Sequence, residues 1–130
     1  MLMISSLANP QVKRIRRLQK DKRFRYREQT FVVEGTRMIQ ELAAGPERSK
    51  TAYYTQDWLA DAAHEAILEE ANLEGTLVTN EVMAAMSATE TASGILAITA
   101  IKPLPLPSQP TMVLILDAVT TPGNLGTILR

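Results

Sequence analysis

Residues 30–44, "TFVVEGTRMIQELAA", change their hydrophobic period halfway along. Thr30 to Val33 is a run of β-branched and aromatic residues that reads as a strand. Glu34-Gly35 reads as a turn, and Thr36 to Ala44 as a helix with Met38, Ile39 and Leu42 inward and Gly45-Pro46 as its stop. The same alternation continues downstream. Thr51 to Thr55 reads as a strand, Asp57 as the cap of a helix running to about Ala71, and Thr76 to Thr79 as a strand. Glu81 to Met86 reads as a short helix, and Ile95 to Ile101 closes the series as a strand. Strands alternating with helices predict an α/β layered domain with a mainly parallel sheet. No internal repeat is visible.

Upstream of this core lies a basic arm. Asn9-Pro10 is a helix start: Asn accepts a bond from a free backbone donor, and Pro at the first helical position has no donor to leave unpaired. Val12, Ile15 and Leu18 fall within an arc of about 120°, with Lys13, Arg14, Arg16, Arg17 and Lys20 on the opposite side. The block continues through Lys22, Arg23, Arg25 and Arg27, and between Lys13 and Arg27 only Asp21 offsets it. Phe24 and Tyr26 are interleaved with these bases, a composition suited to phosphates and to stacking on nucleic acid, although either ring would serve equally as a core anchor.

Net charge is formally zero over the 130 residues, and the total hides this asymmetry. Residues 1–50 carry 12 Lys/Arg against 5 Asp/Glu, whereas residues 51–130 carry 2 against 9. A polyanion is the partner such a block implies, with a solvated basic face as the alternative. There is no Cys, which excludes disulfides, thiol catalysis and cysteine-ligated metals, and the single His64 removes most zinc sites; no metal is expected. No signal pattern or membrane-length apolar run is present, so the expected setting is cytoplasmic.

Catalytic groups are scarce. His64 in its acidic helix reads as a surface or satisfied residue, Met83 and Met86 as core, and Glu34 with Glu41 as acids spaced by chance rather than a catalytic pair. Residues 102–110 then place four prolines in nine positions, a stiff linker. The expected division is a first domain over 1–102, a linker over 103–110 and the start of a second unit over 111–130. Met112 to Leu116 is apolar on both faces and reads as a parallel-sheet strand. If unpaired it offers a template for self-association. The loop Thr121 to Gly126 follows, then a helix start at Thr127 to Arg130. Gly123 and Gly126 permit tight backbone there, without the spacing of a Walker or dinucleotide loop, so a small nucleotide-binding protein is the weakest reading.

"LDAVTTPGNLGTILR", residues 116–130, resembles the first motif of the SpoU (TrmH-like) group of SPOUT RNA 2'-O-ribose methyltransferases, with Asp117, Pro122, Asn124, Gly126 and Arg130 at the family's spacing. "SLANPQVKRIRRLQ" and "FVVEG", with Glu41 downstream, resemble the substrate-binding domain that precedes the catalytic domain in rRNA-modifying members. The resemblance implies a compact ribosomal-protein-like RNA-binding fold followed by the first strand of a truncated knot domain. It implies Arg130 as the catalytic arginine and Asn124 as a shaper of the same site. It also implies S-adenosylmethionine as methyl donor in the intact enzyme, bound through second and third motifs that residues 1–130 do not contain, so that this fragment is expected to bind no donor and transfer no methyl group. The expected role is the substrate-RNA-binding part of an rRNA 2'-O-methyltransferase, with Lys13, Arg14, Arg16, Arg17, Lys20, Lys22, Arg23, Arg25 and Arg27 on the RNA. The alternative is a stand-alone, non-catalytic RNA-binding module of the ribosomal-protein type.

Overall fold

The computed structural model of the chain describes residues 3–45 and 51–130; Pro46, expected to help stop a helix, lies outside them. The elements begin with α1 (Pro10–Lys20), α2 (Lys22–Glu28), β1 (Thr30–Glu34), α3 (Thr36–Ala44) and β2 (Thr51–Thr55). They continue with α4 (Gln56–Leu59), α5 (Ala62–Glu70), β3 (Glu74–Val78), α6 (Asn80–Met86), β4 (Ile95–Ala100) and α7 (Pro122–Leu129). The strands form one sheet in the order β1-β4-β2-β3.

Among the described strands β2 and β3 pair in parallel, and Ile4 adds an isolated parallel bridge to Val78 of β3, while β4 runs antiparallel to both β1 and β2. The sheet is therefore mixed, not mainly parallel. The cause lies in the connection. Seven residues of α6 span about 10 Å, roughly two strand spacings. At its start Asn80 donates to Asp57 just past β2, and just beyond its end Ser87 reaches Glu34 at the end of β1. The chain thus stays at the end of the sheet where β1 and β2 finish, and β4 enters from that end. Alternation of strand and helix says nothing about such a return.

Alternate strand residues supply two cores. Tyr53, Leu96, Val32 and Ile98 pack with Val12 and Ile15 of α1 and Val82, Met83 and Met86 of α6. Val33, Ala52, Tyr54, Ile95 and Ala97 pack with Ile39, Trp58 and Ile67 of α3, α4 and α5 on the other face. Burying one such large side chain contributes about 1.5–3 kcal/mol, and Ile15, Leu18, Ile39, Met86 and Ile95 are all fully buried. Met83 and Met86 are core, as their helical spacing suggested; Met38, expected inward, is 47% exposed and leaves the contact to Ile39.

The helix expected from Asp57 to Ala71 is two helices. Thr55 caps α4, its Oγ1 accepting from Trp58 N at 3.2 Å, and Asp61 caps α5, its Oδ1 accepting from Ala63 N at 3.0 Å. Asp57 lies in the first turn of α4 instead. Residues 101–121 carry neither helix nor strand. Met112 to Leu116, read as a strand, is exposed and forms none, because no strand of the sheet takes up its backbone groups. The helix expected at Thr127 starts at Pro122 and takes in Gly123 and Gly126, at which an added Cβ would meet nothing within 4 Å. No helix among the described residues is long and apolar enough to cross a membrane.

Candidate nucleic-acid interface

The basic arm is built as two short helices set against each other at Asp21. Asn9 Oδ1 accepts from Gln11 N at 2.8 Å and starts α1 as the Asn-Pro pair requires. Val12, Ile15 and Leu18 anchor its inner face. Gln11 accepts from the Tyr53 hydroxyl at 3.1 Å, and Gln19 donates to Met86 O at 3.1 Å, so both ends of α1 are tied down. Asp21 closes α1 through its own N–H to Arg17 O and opens α2 through Oδ1, which accepts from Phe24 N at 3.0 Å. That Phe24 amide, followed by the Arg17 guanidinium, holds the Asp21 carboxyl below its ordinary range.

The nine bases proposed for RNA divide by what they touch. Arg25 turns inward, its Nη1 donating to Leu18 O at 2.7 Å and Gln19 O at 3.2 Å, and so satisfies the last carbonyls of α1. Arg14 and Arg27 pair with Glu28 at 3.6 and 3.8 Å, and Arg17 pairs with Asp21 at 3.5 Å. Arg17 and Arg27 also lie over the Phe24 ring, 4.3 and 5.0 Å from its centroid. Lys13, Arg16, Arg17 and Lys20 line one shallow concavity on the outer face of α1. Among the described residues Lys13, Arg16, Lys20, Lys22 and Arg23 have no carboxylate partner. The two aromatics separate likewise: Phe24 is 8% exposed and Tyr26 is 56% exposed.

A second polar constellation went unread in the sequence. Glu34, at the end of β1, gathers the loop of residues 87–93. Its carboxylate accepts from Ser87 Oγ at 2.5 Å, Thr89 Oγ1 at 3.2 Å, Ala88 N at 3.2 Å and Ser93 N at 3.4 Å. Four hydroxyl residues within "SATETAS" were the signal available. Beside this loop a cleft of about 390 Å³ is lined by Thr55, Asp57, Trp58, Asn80, Met83 and Ser93, among others. Glu41 is exposed on α3 and takes no part. His64 is satisfied, with Nδ1 2.7 Å from Trp58 O and its ring stacked on Trp58 at 4.2 Å. Asn124 and Arg130 both belong to the α7 segment, on its first turn and at its C-cap, and both are exposed. Among the described residues no group of acids and histidine is placed to hold a metal ion.

The model of the MRM3-like substrate binding domain matches residues 9–97. A curated protein described as an uncharacterized tRNA/rRNA methyltransferase, from Synechocystis sp., is 30% identical over 135 aligned positions, which take in 98% of this chain and 47% of that protein. A solved structure of a putative RNA methyltransferase of the TrmH family, from Porphyromonas gingivalis, superposes with a TM-score of 0.65 at 27% identity, over 96% of this chain and 47% of that one. The AdoMet-bound rRNA methyltransferase from Sinorhizobium meliloti gives a TM-score of 0.63 at 21% identity, over 80% of this chain and 38% of that one, and shows the shared fold. The chain spans about half the length of the curated relative it matches.

Proposed function

The chain belongs to the MRM3-like substrate-binding domain family, and from that premise we propose that residues 1–102 are the RNA-holding domain of a SpoU-type 2'-O-ribose methyltransferase. Residues 103–110 then act as a linker, and residues 111–130 as the start of the catalytic unit. The reading is carried by one observation: five bases of the α1–α2 arm are exposed and, among the described residues, have no carboxylate to neutralise them. A helix whose inner face is pinned at Val12, Ile15 and Leu18 presents these charges at fixed spacing, as phosphate contacts need. The substrate class is structured RNA, with rRNA as the first candidate, and the setting is the cytoplasm.

In this proposal Arg130 and Asn124 belong to the methyl-transfer site, where positioning and electrostatic stabilisation of the attacking ribose oxygen supply most of the rate. The methyl donor S-adenosylmethionine would supply the transferred group in the intact enzyme. Residues 118–130 do not fit it alone: the concavity beside Asn124 is open, and every side chain lining it is exposed. We assign no donor contact to this segment.

The test is salt dependence. Neutralising about six phosphates gives a slope of roughly −4 to −5 in log K against log salt. Lys13→Glu, Arg16→Glu and Lys20→Glu together should flatten it markedly while leaving the thermal midpoint in place. An unchanged slope would make the arm a solvated face.

A further inference from the structure

The RNA reading leaves open why the arm carries an aromatic ring on its outside. The two rings sit two residues apart and meet opposite fates. Phe24 is buried under the guanidinium groups of Arg17 and Arg27. Tyr26 is 56% exposed, and among the described residues its ring has one cation contact, the Lys22 ammonium 5.9 Å from the centroid, and no ring partner, while its hydroxyl has no hydrogen-bond partner. Its backbone, by contrast, is held firmly. The Gln29 side chain donates to Tyr26 O, Gln29 closes α2 in the left-handed conformation at φ 53°, Asp21 caps the start, and Arg25 ties α2 to the end of α1. A helix of seven residues has little stability of its own, so these four devices, together with the buried Phe24, keep the ring in place.

Resting on the RNA reading above, we propose that Tyr26 is a stacking platform for one unpaired base, set beside the phosphate track of α1. The substrate is then an RNA in which a helix adjoins a bulged or looped-out nucleotide. The chemistry selects this partner. Bases inside an A-form duplex are already stacked and offer no face, whereas an unpaired base stacks on any exposed ring regardless of its identity. Lys22 holds its ammonium 5.9 Å from the ring centroid, and the exposed part of the residue is the surface a base can cover. Arg23, three residues before Tyr26 and without a carboxylate partner among the described residues, is placed on the same turn for the adjoining phosphate. A surface serving only duplex phosphates would have no use for the ring.

The experiment compares a hairpin RNA carrying a single 2-aminopurine bulge with the same hairpin fully paired, using the full chain. Wild type should bind the bulged RNA more tightly and change its 2-aminopurine fluorescence. Tyr26→Ala should weaken the bulged complex about tenfold, abolish the fluorescence change and leave the paired complex and the salt slope as they were. Tyr26→Phe should behave as wild type, since the ring is kept. Equal affinity of wild type for the two hairpins, or no effect of Tyr26→Ala with the salt slope intact, overturns the stacking site alone. Absence of any salt-dependent RNA binding overturns the RNA reading and this inference with it.

Discussion

The Glu34 carboxylate accepts a hydrogen bond from the Ser87 hydroxyl at 2.5 Å, joining residues 53 apart in sequence. Ala88 N, Thr89 Oγ1 and Ser93 N converge on the same two oxygens, so one side chain sets the shape of the loop that feeds β4 into the middle of the sheet. Hydrogen bonds to a charged group contribute about 1.5–3 kcal/mol, and several here share one acceptor. Glu34→Ala should lower stability by about 2 kcal/mol, measured as the shift in urea midpoint, with amide exchange accelerating first across residues 87–93. A midpoint within error of wild type would mean that the loop holds itself.

What could be read from the sequence and what could not divides along contact range. Asn9-Pro10 set the start of α1 correctly, because a cap and its helix are neighbours in the chain. Thr36–Ala44 likewise followed from local periodicity. The direction of β4 depends on where Ser87 meets Glu34, and no local pattern encodes that meeting. Arg25 is the corresponding case within the site. Its charge resembles its neighbours', and only the break at Asp21 reveals that it serves the carbonyls of α1.

Arg25 and Lys13 should therefore answer different assays. Arg25→Gln removes the donor that satisfies Leu18 O and Gln19 O and should cost about 1–2 kcal/mol of stability, read by thermal unfolding. Lys13→Gln should leave the thermal midpoint unchanged and reduce the RNA salt slope by about 1. The reverse pattern would show that the sorting of the bases is wrong.

Asp21 gives the arm a defined response to acid. Its carboxyl is held below the ordinary 3.8, first by the Phe24 amide and then by Arg17. A depressed folded value means that the capping contribution is complete above the ordinary carboxylate range and is lost only as pH falls through the lowered value. The Phe24 amide resonance should therefore titrate with a midpoint below 3.8. Asp21→Asn keeps the cap and should remove the titration. A midpoint at or above the ordinary value contradicts the capping account.

Tyr54 and Gly75 form a close pair across β2 and β3. A Cβ on Gly75 would lie 2.2 Å from Tyr54 Cε1, and the ring has nowhere to go because Tyr54 is buried against Trp58. Gly75→Ala should cost about 1–3 kcal/mol, the range for overpacking. Adding Tyr54→Leu should recover part of that loss in a double-mutant cycle, since the clash then disappears. Additive effects in the cycle would mean that the ring does not limit the position.

Met112 to Leu116 place five consecutive apolar side chains in solvent with no strand formed. Each large apolar side chain left in water forgoes about 1.5–3 kcal/mol of burial, and backbone outside any helix or strand adds donors and acceptors that a second strand can satisfy. The partner always present at high concentration is the same segment of another copy. Light scattering of the chain should therefore show mass rising with concentration, and Ile115→Lys should suppress it by placing a charge in the middle of the pairing segment. The substitution lies outside both cores, so the thermal midpoint should not move. A chain that stays monomeric at about millimolar concentration, or an Ile115→Lys variant that associates as strongly as wild type, rules out pairing through this segment.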